Sequence, residues 1–224
     1  MIEWLEDLEL ELSKNADKSR ALAQMAYMKN HFDFFGIASS NRKNLAMLWI
    51  KKYNLKAIEG IEKRNLILAL FQMEQREFHY IAIDFLNSFK TSEIEIEDGD
   101  FLESLITSNS WWDSVDSIAS NYLGKYVKKF PAEGFKLMEQ WANSENLWLM
   151  RSTLIFQLKY GNLTDFDFLK KRIYQFRMIN EFFIQKAIGW SLRQYSKFNK
   201  DSVKHFLTEV ELSNLARREA AKYL

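Results

Sequence analysis

Bulky aromatic residues recur along this chain at a nearly constant interval. Phe78, Trp112, Trp148 and Phe183 are separated by 34, 36 and 35 residues, and each stands near the start of a segment with helical periodicity. An interval of that size accommodates two helices and their turns. Its repetition marks a solenoid in which each helix pair buries its apolar face against the next, leaving equivalent helices to line a concave groove. Glu77-Phe78-His79-Tyr80-Ile81-Ala82, Trp148-Leu149-Met150-Arg151-Ser152-Thr153 and Phe183-Ile184-Gln185-Lys186-Ala187-Ile188 share a pattern without sharing identities. Sheet is disfavoured on separate grounds. With one proline, Pro131, and seven glycines in 224 residues, the punctuation that hairpins need is nearly missing. The expected fold is all-α, a solenoid of stacked helix pairs forming one continuous domain over residues 1–224.

Apolar spacing predicts a short first helix through Trp4, Leu5, Leu8 and Leu12 and a second through Leu22, Met25 and Met28, which contains Tyr27. Further helices are expected over about 41–53, 57–73, 76–90, 98–108, 111–129, 132–143, 146–161, 164–178, 181–198, 200–209 and 213–223. Ser39 or Ser40 is placed to cap the helix that begins near Arg42.

The net charge of +1 hides a segregation. Residues 1–12 carry five acids and no base, residues 93–103 carry six acids and no base, and the remainder holds 31 bases against 19 acids. Such a body can present a positive surface to phosphates, although a charge run is usually a solvated helix face. The absence of cysteine rules out disulfide frameworks, zinc ribbons and thiol catalysis. Three scattered histidines, His31, His79 and His205, form no ligand pair, so neither a metal nor another cofactor is expected. The acidic amino terminus is unlike a secretory signal, and no apolar run reaches membrane-spanning length, so a soluble cytoplasmic protein is expected.

Ser110-Trp111-Trp112-Asp113-Ser114-Val115-Asp116-Ser117 is the stretch richest in chemistry. Trp112 and Asp116, four apart, share a helix face. An indole beside a carboxylate, with no cysteine or histidine nearby, suits a cation better than a metal or a nucleophile. The plainer alternative is a core tryptophan and an aspartate that complements a helix start. In a solenoid, Asp116, Arg151 and Trp190 fall on consecutive inner helices. Arg151 and Lys159 lie two turns apart, and Lys186, Trp190 and Arg193 follow at spacings of four and three. A groove with these bases and indoles suits nucleic acid. Its single carboxylate would repel a phosphate backbone, a cost that a cationic substrate would offset.

Four blocks carry a family resemblance. They are Tyr27-Met28-Lys29-Asn30-His31-Phe32 with Phe35-Gly36-Ile37; the Ser110–Ser117 stretch; Arg151 with Phe156-Gln157-Leu158-Lys159-Tyr160; and Glu181-Phe182-Phe183-Ile184-Gln185-Lys186-Ala187-Ile188-Gly189-Trp190. In this order they closely resemble the AlkD family of bacterial DNA alkylation-repair glycosylases, over nearly the whole chain. The resemblance implies an α-α superhelix of HEAT-like repeats that binds duplex DNA and removes positively charged N3- and N7-alkylpurines without flipping the base. It implies a catalytic cluster of Trp112, Asp116 and Trp190. It also implies DNA contacts from Tyr27, Arg151, Lys159 and Arg193, with Arg151 anchoring phosphate. The chain departs from the family pattern at Ser39-Ser40-Asn41-Arg42-Lys43, where a proline and paired arginines are common. Ser39, Arg42 and Lys43 are the candidate phosphate contacts there. The expected partner is double-stranded DNA containing alkylated purines, bound by a monomer that is nucleoid-associated while on DNA. The alternative is a non-catalytic repeat scaffold that binds DNA or other proteins.

Overall fold

In the computed structural model, which describes residues 1–224, the order is α1 (Ile2–Lys14), α2 (Lys18–Tyr27), α3 (Ser39–Lys52), α4 (Gly60–Phe71), α5 (Arg76–Asn87), α6 (Asp98–Thr107) and α7 (Trp112–Ile118). It continues with α8 (Gly124–Lys129), α9 (Pro131–Ala142), α10 (Leu147–Ile155), α11 (Phe166–Phe176), α12 (Phe182–Ser196), α13 (Lys200–Glu209) and α14 (Asn214–Ala220). There is no strand; one isolated bridge joins Asp33 to Gln75. The fold is all-α, as the scarcity of glycine and proline predicts. No helix is long and apolar enough to cross a membrane. The chain divides into two compact units, Met1–Glu93 and Ile94–Leu224.

In the first unit α3 packs on α1 and α5, and α4 packs on α5, around Leu8, Leu12, Trp49, Leu66, Phe71 and Phe78. The α2–α3 connection is held by one acid. Glu77, 1% exposed, accepts the backbone N–H groups of Phe35, Gly36 and Ile37 at 3.1, 2.9 and 3.1 Å. Three charge-assisted bonds to one carboxylate make a strong local clamp. Gly36 at the centre of the clamp has φ +86°, and a Cβ there would lie 2.0 Å from the Asp17 carbonyl oxygen. Only glycine fits both the conformation and the space. Ala38 thus arrives extended at the cap of α3, with no side-chain cap bond, and Ser39 is the first helical residue. Neither serine is the cap that the sequence predicts.

In the second unit α7 packs on α10, α10 on α12, and α12 on α14, while α9 and α11 fill the layer behind α10. Trp112, Trp148 and Phe183 fall in the first turns of α7, α10 and α12, as the recurrence predicts. The single helix predicted over 111–129 is interrupted by a π-helical turn at Ala119–Leu123. Within it the Ser120 hydroxyl donates to the Asp116 carbonyl at 2.6 Å, and the Asn121 amide to the Ser117 carbonyl at 2.7 Å. Side chains that bond carbonyls one turn back compete with the i→i−4 ladder, and π-bulges are common beside functional sites.

Candidate functional site

In the second unit the carboxylate and the arginine singled out from sequence meet. Arg151, on α10, donates from Nε to Asp116 Oδ1 at 2.7 Å and from Nη2 to Oδ2 at 2.8 Å. Its Nη1 donates to the Phe183 carbonyl at the start of α12. One guanidinium therefore ties α7, α10 and α12 together. The side chains of Asp116 and Arg151 are 16% and 5% exposed, so the pair is desolvated and bidentate, the strongest geometry for this contact. Burial pushes the Asp116 carboxyl above its ordinary range; Arg151 opposes that shift, and Asp113 adds to it. Arg151 is thus what keeps a buried carboxylate charged. Each of its three guanidinium nitrogens faces a protein oxygen.

Trp112 is the first residue of α7, one turn before Asp116, and Trp190 is half-buried on α12. Beside the ion pair lies an aromatic cluster: Trp111 packs on Trp148 and Phe183, with ring centroids 5.8 and 5.2 Å apart, and Trp148 meets Phe183 at 5.0 Å. Phe182, 58% exposed, packs edge-on against Phe183.

The bases expected to meet phosphate differ in their partners. Lys159 is exposed and donates to Asn121 in the π turn. Arg193 and Lys186 both pair with Glu219 of α14, each at 3.0 Å, and Lys222 bonds the same carboxylate at 2.9 Å. Lys222 and then Lys186 pull the Glu219 carboxyl down to about 2. Arg193 is therefore already paired with a carboxylate of its own chain. Glu219 escaped the sequence reading; the available signal was one acid in the otherwise basic run Arg217-Arg218-Glu219-Ala220-Ala221-Lys222.

The remaining candidates cluster in the first unit. Tyr27, 68% exposed, lines a cavity of about 410 Å³ together with Gln24, Ser39, Arg42 and Tyr80. Arg42 is 9% exposed. Its Nη2 donates to Asp84 at 3.2 Å, its guanidinium lies 4.7 Å over the Tyr80 ring, and its Nε has no partner. Lys43 points instead into a neighbouring cavity of about 560 Å³ between α3 and α5.

The family model described as DNA alkylation repair enzyme matches residues 8–224. A solved structure described as a predicted DNA alkylation repair enzyme from Enterococcus faecalis is 35% identical, with a TM-score of 0.85, covering 94% of this chain and 97% of that one. AlkD2 from Streptococcus mutans is 18% identical, with a TM-score of 0.63, covering 84% and 91%. A further protein of Streptococcus mutans UA159 is 19% identical, with a TM-score of 0.62, covering 83% and 96%. No curated protein sequence matches the chain.

Proposed function

Because the chain belongs to the family of DNA alkylation repair enzymes, we propose that it is a DNA glycosylase releasing positively charged N3- and N7-alkylated purines from duplex DNA. The observation that carries this reading is the buried Asp116–Arg151 pair one turn from Trp112. An alkylated purine already bears a formal positive charge, so it leaves as a neutral base without protonation. As the C1′–N9 bond breaks, its electron pair stays with the base and cationic character passes to the deoxyribose. Water then adds to C1′ and loses its proton. The reaction needs a fixed anion near the sugar rather than a general acid, and Asp116, held by Arg151, supplies one.

Asp116 stabilises the oxocarbenium-like sugar electrostatically, the preorganised contribution that often dominates catalysis. At about 4 Å and an effective dielectric near 20, a unit-charge attraction is on the order of 4 kcal/mol. Half of that, specific to the transition state, gives a rate factor of roughly 30. Arg151 reduces the net field but keeps the carboxylate ionised and aimed. Trp112 and Trp190 present indole faces to the cationic sugar and lesion, each contributing about 0.5 to 2 kcal/mol. Phosphate contacts come from Lys159, Ser39, Arg42 and Lys43, with Tyr27 shaping the duplex. Contact with the sugar rather than an extruded base lets bulky adducts remain in the duplex.

One observation favours a second reading, a DNA-binding relative without excision: both Asp116 oxygens are already engaged by Arg151. Incubation of the protein with duplex DNA carrying one 7-methylguanine, followed by cleavage at abasic sites, separates the two. Release of free 7-methylguanine is expected. Tight duplex binding with no release establishes the non-catalytic reading.

A further inference from the structure

Glu219 is 5% exposed and is surrounded by three cations, two of which come from α12. Lys186 and Arg193 lie seven residues apart on that helix and bracket Trp190. Between them the helices touch: a Cβ on Gly189 would come 2.4 Å from the Glu219 Cβ and 2.7 Å from the Ala216 carbonyl oxygen. One turn further back, the Ser213 hydroxyl, which caps α14, donates to the Gln185 side chain at 2.6 Å. Polar contacts at Gln185, Lys186 and Arg193, with close packing at Gly189, fix both the rotation and the height of α12. What α12 carries makes this matter. It bears Trp190, and its first turn bears the Phe183 carbonyl that accepts from Arg151 while Arg151 holds Asp116. A displacement of about 1 Å in such a chain of contacts can cost on the order of a hundredfold in rate.

We propose that Glu219 is a positioning residue for excision: by clamping α12 on both sides of Trp190, it sets the Phe183 carbonyl and thereby the Arg151–Asp116 pair. The assignment rests on the glycosylase reading. It differs from a purely structural role because the clamp acts on a rate and on the state of Arg151, not only on stability. It also withholds Lys186 and Arg193 from the DNA backbone.

The test uses the full chain with Glu219→Gln, Glu219→Asp and Lys222→Met, each checked by circular dichroism. Single-turnover release of 7-methylguanine, duplex affinity, and the NMR resonance of the Arg151 Nε–H, assigned by its loss in Arg151→Met, are measured together. Glu219→Gln is expected to slow release about tenfold per folded molecule. Its duplex affinity should be unchanged or tighter and more salt-dependent, and its Arg151 resonance should shift. Glu219→Asp, which keeps the charge, should recover at least half of the loss on a logarithmic scale. Lys222 bonds Glu219 from the segment after α14 and is not one of the two cations on α12, so Lys222→Met should release base at the wild-type rate. A folded Glu219→Gln that matches wild type in rate, or a rate loss that only tracks the unfolded fraction, overturns the proposal. If Glu219→Gln does not fold, Lys186→Met carries the test: slower release at unchanged affinity supports it, and the wild-type rate overturns it. If the wild-type protein releases nothing, the glycosylase reading fails on its own. The NMR arm still decides the clamp, since an unshifted Arg151 resonance in the variant breaks the proposed link.

Discussion

Two buried carboxylates on neighbouring helix pairs of the second unit are held by cations in opposite ways. Asp116 meets one cation, Arg151, and burial wins: its carboxyl is held above the ordinary range. Glu219 meets three, Lys186, Arg193 and Lys222, and the cations win, holding its carboxyl down to about 2. Desolvation is the largest influence on Asp116, whereas hydrogen bonds from Lys222 and then Lys186 outweigh it at Glu219. A carboxylate with one partner retains charge that an approaching cation can use. One with three partners is saturated and can only organise the residues around it. On the proposed glycosylase reading, the α7–α10 region offers its carboxylate to an incoming positive charge, while the α12–α14 cluster ties helices together.

The harshest way to break this contrast is to remove the single cation. Arg151→Met leaves Asp116 buried and unpaired, and uncompensated buried charge typically costs about 3–5 kcal/mol. Chemical denaturation should show a loss of that order, largely recovered in Asp116→Leu/Arg151→Met, because apolar replacement of a buried pair is often neutral. Equal stability of the single and double variants would mean the pair is hydrated in solution. A smaller effect is expected from Asp116→Asn, which keeps shape and removes charge. Release of 7-methylguanine should fall at least about tenfold, near 1.4 kcal/mol, while undamaged duplex binds as before or tighter. Wild-type release by Asp116→Asn removes the carboxylate from the mechanism.

Acid titration sharpens the contrast through sign. The folded-state pKa of Glu219 lies below its ordinary 4.5, so its contribution to stability is complete above that pH and disappears as pH falls toward about 2. For Asp116 the folded-state pKa lies above 3.8. Its contribution is complete below that pH and is lost as pH rises through the raised value. Stability differences between wild type and Glu219→Gln should therefore shrink on acidification. Wild type should lose stability relative to Asp116→Asn as pH rises through the raised value. Parallel slopes would show that the two sites share one electrostatic character after all.

What was legible in the sequence follows from distance along the chain. The all-α fold is read from local signals, the aromatic interval and the missing punctuation. The pairing of Asp116 with Arg151 is foreshadowed because they occupy equivalent helices 35 residues apart. The tryptophan doublet is different: Trp111 and Trp112 straddle the first residue of α7, and a one-residue difference there decides which indole enters the aromatic cluster. The partner of Lys186 and Arg193 is harder still. Helical spacing shows that the two bases share a face, but only tertiary packing brings Glu219 to it from 26 residues beyond Arg193. Glu77 opens one of the repeat blocks, and its grip on the loop at 35–37 depends on contacts 40 to 42 residues away, which repeat spacing does not reveal.

The smallest predicted effect tests the exposed bases against those already neutralised. Lys43 is exposed at the first turns of α3, whereas Arg193 is paired with Glu219. A lysine that contacts one phosphate releases about one counterion, so Lys43→Met should lower the slope of log affinity against log salt by about 0.9. It should weaken binding equally for damaged and undamaged duplexes and leave single-turnover release at saturation unchanged, since it touches no part of the Asp116–Arg151 pair. Arg193→Met should change the slope less, because the charge it removes is already balanced by Glu219. Fluorescence titrations of a labelled duplex at several salt concentrations give both slopes. A larger change for Arg193 than for Lys43 would show that DNA draws Arg193 away from Glu219, making the saturated cluster a reserve of phosphate contacts instead of a fixed clamp.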